Sequence, residues 1–288
     1  MSPISWQPPK PEQPEELTAR LALFTPQAPR RHLPDLVLTA ATERQLRTAL
    51  AKIQYHDKLY HEWGLAKVHP EGRGIAINLY GPPGTGKSFA AEAIADYLGK
   101  QIIRIDYAQI ESRFVGDTPK NIAAAFDAAK ESSSVLFFDE ADSVLSRRAT
   151  NITQAADYGV NVSRSTLLLQ LDSFSGIVIF ATNLAANYDP AFVRRILAHV
   201  YFPLPDEAAL VKLWRYHLPA EMPLEATVTP EVLAQNSLGL SGGDVLNVVI
   251  LAAASAVEQG QQAVGLPQFQ EALDQVRRSK EEVGVTLA

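Results

Sequence analysis

Five short apolar runs punctuate the middle of the chain, at residues 75–79, 101–107, 135–139, 177–182 and 200–204. Runs of this length between glycine and polar residues predict strands. Stretches with helical spacing separate the first four, at residues 88–98, 119–130 and 162–171. This alternation predicts an α/β fold with a five-stranded parallel sheet covered by helices on both faces. Another helical pattern precedes the sheet, from Thr42 through Leu46, Leu50 and Ile53 towards Tyr60, and ends near Gly64.

The pattern changes after Pro205. Helical runs broken by Pro219, Pro223, Pro230, Gly239 and Pro267 predict a small all-α domain of about four helices, including a buried one at residues 248–257. At the other end, eight of the 19 prolines lie between Pro3 and Pro34. Such a stretch predicts an extended, polyproline-like arm in which Ile4 and Trp6 are the odd apolar residues. The expected organisation is an arm (1–34), an α/β domain (35–205) and a helical lid (206–288).

Composition narrows the chemistry. Apolar residues make up 47% and charged residues 20%, ordinary values for a globular chain. The net charge of −6 disfavours a broad grip on a nucleic-acid backbone. With no cysteine, disulfides, thiolate metal sites and cysteine nucleophiles are excluded, and a reducing cytosol is compatible. No apolar stretch is long enough to span a membrane and no signal peptide is visible, so a cytoplasmic protein without integral membrane association is expected. His61-Glu62 lacks the second histidine of a metalloprotease motif, and the six histidines show no metal-ligand spacing.

Two motifs carry chemistry. Gly81, Pro82, Pro83, Gly84, Thr85, Gly86, Lys87 and Ser88 fit G-x-x-x-x-G-K-[ST] between a predicted strand and a predicted helix, with Phe89 next along the helix. Glycines let the backbone N–H groups face phosphates, and the helix N-terminus favours negative charge. Lys87 supplies a full charge and the Ser88 hydroxyl suits Mg²⁺. The second motif is an apolar strand ending in Asp139 and Glu140. Beside a triphosphate, Asp139 would hold the metal through its water shell and Glu140 would polarise the attacking water.

Together with Phe138-Asp-Glu-Ala-Asp142, this loop resembles AAA+ ATPases, in particular the AAA clade of katanin, spastin and the proteasomal ATPases. The resemblance covers residues 35–278, and the stretch from Trp63-Gly-Leu65 through Gly72-Arg-Gly74 is similar to single-module bacterial and phage members. It implies ATP and Mg²⁺ as ligands, ATP hydrolysis as the activity and a homo-oligomeric ring, expected to be a hexamer. It places a γ-phosphate sensor at Asn183 and an arginine finger at Arg195, with Arg194 as the alternative. Ala198 stands where relatives carry a further finger arginine. Leu240-Ser-Gly242-Gly243-Asp244 is similar to the lid turn that packs near the adenine, and its residues also suit a helix N-cap. Asp172 lies in an element similar to the family's subunit-signalling Leu-Asp-Gly-Phe, with Ser173 replacing the glycine.

Phe114, Val115 and Gly116 resemble the aromatic–aliphatic–glycine pore loop that grips an extended polypeptide. An aromatic ring contacts any chain without sequence demands, and the glycine lets the loop swing. Arg147, Arg148 and the polar stretch at residues 149–159, expected to be flexible, fall at the second pore loop. The resemblance thus implies a machine that remodels, unfolds or disassembles a protein or peptide client by threading. An assembly factor with slow hydrolysis is the alternative.

Overall fold

The computed structural model describes residues 14–68, 74–106, 118–146, 155–183 and 188–282. Five parallel strands form one sheet: β1 (Ile75–Tyr80), β2 (Ile102–Asp106), β3 (Val135–Asp139), β4 (Ile177–Thr182) and β5 (Ala198–Tyr201). Their order is β2-β3-β4-β1-β5. Parallel strands covered on both faces read as continuous apolar runs, and every residue of β4 is buried. Successive side chains enter different cores. Phe137 packs with Ile77, Leu79 and Ile179 beneath α2 (Ala40–Gln54) and α3 (Lys87–Tyr97). Phe138 packs with Phe180 and Phe126 beneath α4 (Thr118–Ser132), α5 (Asp142–Leu145) and α6 (Ala155–Ser173).

The last strand lies earlier than residues 200–204. Phe202 still donates its N–H to Tyr80 O at 2.8 Å, but Pro203 and Pro205 have no N–H and the ladder stops. Helix α6 starts at Ala155, so the end of the stretch expected to be flexible is its first turn.

The N-terminal segment also departs from its expected extended form. Helix α1 (Pro14–Leu21) opens on a proline, where no intrahelical N–H is needed. Beyond it Phe24 is buried, and the Arg20 guanidinium donates to Asn121 on α4. Gln27 and Ile102 exchange two backbone bonds of 2.9 Å, covering the exposed edge of β2. Burial of Phe24 and the open strand edge outweigh the proline content. Ile4 and Trp6 lie outside the described residues.

A short helix, α7 (Pro190–Val193), precedes β5. Four helices then form the C-terminal part among the described residues: α8 (Glu207–His217), α9 (Pro230–Asn236), α10 (Gly242–Glu258) and α11 (Leu266–Glu282). They close around Trp214 and Phe269, whose rings meet edge to face at 5.8 Å. Asp206, Thr229 and Ser241 cap α8, α9 and α10 by accepting backbone N–H bonds. Among the described residues no helix is long and apolar enough to cross a membrane.

Candidate active site

The loop from Gly81 to Gly86 joins β1 to α3 and depends on its glycines for separate reasons. A Cβ on Gly81 would lie 2.2 Å from Phe202 O, and one on Gly84 would lie 2.4 Å from Ser241 Oγ. A Cβ on Gly86 would meet only Leu36 Cδ1, at an ordinary 3.9 Å, but its φ of +95° disfavours a side chain. Thr85 Oγ1 donates to Pro82 O at 2.8 Å and ties the loop to itself.

Lys87, the first residue of α3, is buried and turns its ammonium back onto the loop, donating to Gly81 O at 2.8 Å and Pro82 O at 2.7 Å. Burial pushes its pKa down to about 8, against the opposing pull of Asp142 and Asp139. Ser88 Oγ donates to Asp139 at 3.0 and 3.3 Å, so the two sequence motifs meet directly.

Asp139 also holds Arg104, a residue that sequence reasoning passed over. Its signal was present, since Arg104 is the one polar interruption within the apolar residues 102–105 of β2. Glu140 has a φ of +51°, a left-handed conformation unusual for a side chain, and its N–H donates to Asp139 Oδ1 at 3.1 Å. Backbone conformations of this kind cluster at active sites, ligand clamps and switch regions. Asp142 is the second missed residue. It accepts from the Thr182 hydroxyl and, at 2.9 Å, from the Asn183 N–H, fixing the tip of β4 beside the acidic motif.

Phe89 and the C-terminal helices complete a cavity of about 250 Å³. Its walls are Leu36, Val37 and Leu38 ahead of α2, Gly84, Thr85 and Gly86 of the loop, Phe202, Pro203 and Pro205, and Leu213, Tyr216 and His217 of α8. Gly242 and Gly243, at the start of α10, line its far side, and Gly243 N donates to Gly84 O at 3.1 Å. Ser241 and Asp244 make a reciprocal capping box there, so the N-cap reading of this turn holds. Arg31 lies over the Phe89 ring at 5.0 Å, and Tyr216 meets the same ring edge-on. Burial pushes the His217 pKa below its ordinary value, favouring a neutral imidazole. The apolar walls and phosphate loop suit a nucleoside phosphate: a flat base between apolar surfaces, anions against N–H groups and Lys87.

The arginine pair is elsewhere. Arg195 forms a bidentate pair with Asp172 at the end of α6, at 2.6 and 2.8 Å, and donates to Ala191 O at 3.0 Å. The Asp172 carboxylate raises its pKa. Arg194 is exposed, and its guanidinium has no partner among the described residues. Phe114, Val115, Gly116, Arg147 and Arg148 lie outside the described residues.

Residues 77–204 match the family described as "ATPase family associated with various cellular activities (AAA)". The chain carries an AAA ATPase domain. It is 31% identical over 246 residues to a proteasome-activating nucleotidase of Methanopyrus kandleri, covering 83% of this chain and 55% of that protein. It is 31% identical over 265 residues to a 26S proteasome regulatory subunit 4 homolog of Schizosaccharomyces pombe, covering 89% of this chain and 57% of the relative. A cell division cycle protein 48 homolog of Archaeoglobus fulgidus is 35% identical over 191 residues, 62% of this chain and 25% of that protein. The chain thus spans little more than half the length of the first two. These relatives are archaeal and eukaryotic, and lend no support to the likeness to bacterial and phage members. The AAA match begins in β1 and ends just past β5, so it contains the phosphate loop, Asp139, Glu140 and the arginine pair.

Proposed function

We propose that this protein is a ring-forming ATPase that uses hydrolysis to remodel, unfold or disassemble a protein client in the cytoplasm. The meeting of Lys87, Ser88 and Asp139 at one strand–loop–helix junction carries the reading. ATP would bind with its base in the cavity beside Gly242, Gly243 and His217 and its phosphates along the loop. Lys87 would exchange the Gly81 and Pro82 carbonyls for phosphate oxygens, a stronger, charge-assisted partner. The Ser88 hydroxyl and the Asp139 carboxylate, already within hydrogen-bond reach, form an all-oxygen pair suited to Mg²⁺. Bound there, Mg²⁺ would neutralise phosphate charge; Arg104 has to share Asp139 with it. Glu140 would take the proton of the attacking water, and Asn183, anchored through its backbone on Asp142, would orient that water.

The arginine pair would complete a neighbouring subunit's site. Exposed Leu169, one turn before Asp172, and exposed Val193 and Leu197, flanking the pair, support a subunit interface on that face. Exposed Leu246 and Ile250 on α10 support a second one on the lid. We assign the finger to Arg195, released from Asp172 when subunits meet, with Arg194 as the alternative. We further propose a hexamer, Phe114-Val115-Gly116 as the client-gripping loop, and a division into an ATPase domain (35–205) and a lid (206–288). The names of the relatives, which describe proteasomal nucleotidase and regulatory subunits, support a polypeptide client.

The test is ATP turnover by the purified chain, with and without an unfolded polypeptide. Lys87→Ala should abolish nucleotide binding, and the polypeptide should stimulate the unmodified enzyme. Turnover without stimulation would favour a slowly hydrolysing assembly scaffold. Nucleotide binding by Lys87→Ala as tight as that of the unmodified chain would overturn the site.

A further inference from the structure

Just past the end of α2 the chain makes an unusual turn. From Lys58 to Glu62 the backbone is π-helical, with Trp63 N donating five residues back to Lys58 O at 2.9 Å. Such single π turns are rare and concentrate at functional sites. In an α-helix, residues five apart point roughly 140° away from each other. A wider π turn narrows that angle, and His56, just ahead of the π segment, and His61, within it, are five residues apart with ring centroids 6.2 Å from each other. Their spacing looks unrelated to metal binding in the sequence because it acquires that meaning only in this backbone.

We propose that His56, Asp57 and His61 form a binding site for a divalent transition-metal ion of the zinc class. One ligand atom from each of the three residues lies within 4.8 Å of the others. His56 Nδ1 is 3.5 Å from Asp57 Oδ1. Two ligands held about 2.0–2.2 Å from a tetrahedral ion sit roughly 3.4 Å apart, so modest side-chain movement closes the set. The first ligand is pre-positioned: the His56 ring stacks on Tyr60 at 4.6 Å with an interplanar angle of 9°, and Tyr60 is buried. The other two, His61 and Asp57, are exposed and free to adjust. His61 meets His56 edge-on at 6.2 Å.

The donor set selects the ion. Two imidazoles and one carboxylate suit Zn²⁺, Co²⁺ or Ni²⁺, whereas Mg²⁺ and Ca²⁺ favour all-oxygen shells such as Ser88 with Asp139. Three protein ligands leave a position for water or for a donor from another molecule. The ammonium groups of Lys52 and Lys58 are nearby but lie over the rings of Tyr60 and Trp63, at 5.5 and 5.7 Å. A bound ion would cross-link the π turn and stiffen the segment that follows α2.

The chain, stripped with a chelator and returned to millimolar Mg²⁺ to occupy the oxygen site, should be titrated with Co²⁺ and Zn²⁺. One equivalent should bind, with visible Co²⁺ absorption and a rise in melting temperature on adding Zn²⁺. His56→Ala and His61→Ala should each weaken binding at least tenfold and remove the thermal shift, while His32→Ala should leave both intact. Because His61 is exposed, His61→Ala should fold normally, as circular dichroism would show. No saturable binding, or equal affinity in the His56→Ala/His61→Ala double variant, would overturn the site.

Discussion

The phosphate loop and the arginine pair are both cationic parts of one proposed reaction, yet the isolated chain prepares them differently. Lys87 is buried, bonded to two loop carbonyls and surrounded by Asp139, Asp142 and Ser88 on fixed elements. Arg194 and Arg195 sit at the surface, on the end of a four-residue helix. One is held by Asp172, and the other has no partner among the described residues. The first half is complete in one subunit. The second, as the proposed finger, has its charge at the surface, where a site shared between subunits would need it.

The comparison breaks most clearly at the arginines. Replacing the finger should cut turnover about 10³–10⁵-fold while nucleotide affinity stays unchanged, because its contact is made with charge that develops during reaction. If Arg195→Ala has this effect and Arg194→Ala does not, the assignment to Arg195 stands; the reverse result moves it by one residue. Equilibrium binding of a labelled nucleotide, measured beside turnover, separates the two quantities.

A smaller loss is expected within the self-contained half. Glu140→Gln should lower turnover about 10²–10⁴-fold and preserve ATP binding, since only proton transfer from water is removed. Unchanged turnover would reassign the base.

Proton linkage gives a subtler test of Lys87. Its pKa, pushed down to about 8 by burial, lies below the ordinary lysine value of 10.5. A phosphate partner favours the charged form and raises the pKa on binding. Nucleotide affinity should therefore hold below pH 8 and fall as pH rises through it, by about tenfold between pH 7 and 9. Binding near pH 8 should take up protons, seen as a buffer-dependent enthalpy. The stability effect runs the opposite way with pH. A depressed lysine pKa penalises the fold while the group is charged, and that penalty shrinks between about pH 8 and 10.5.

The smallest effect concerns the lid. Ser241→Ala removes the N-cap of α10 and should cost about 1 kcal/mol in denaturant unfolding. It leaves Lys87, Asp139 and the arginines in place, so turnover per folded subunit should change little.

These regions also differed in how far the sequence exposed them. The sheet was legible because strands buried on both faces must be apolar throughout, and the phosphate loop because its residue types and spacing are set by anion geometry. Arg104 and Asn78 were hidden inside apolar runs: one side chain reaches Asp139, and the other is fully buried against Tyr188 and His199. Asp142 was visible as a residue, but its hold on Thr182 and Asn183 depends on β3 and β4 being neighbours in the sheet. The docking of residues 14–27 was obscured by proline composition, which reports local stiffness and not the open edge of β2. His56 and His61 needed a π turn that nothing in their spacing announces.

The central claim is that the arginine of one subunit completes the nucleotide site of the next, and mixing two inactive variants tests it most directly. Lys87→Ala subunits retain the arginines but cannot hold ATP. Arg195→Ala subunits hold ATP but lack the finger. Mixed in equal amounts, they should regain part of the ATPase activity, because intact arginines then face intact nucleotide sites at some interfaces. If the mixture stays as inactive as its components while the two variants demonstrably co-assemble, or if Arg195→Ala and Arg194→Ala each hydrolyse ATP normally, the shared site is contradicted.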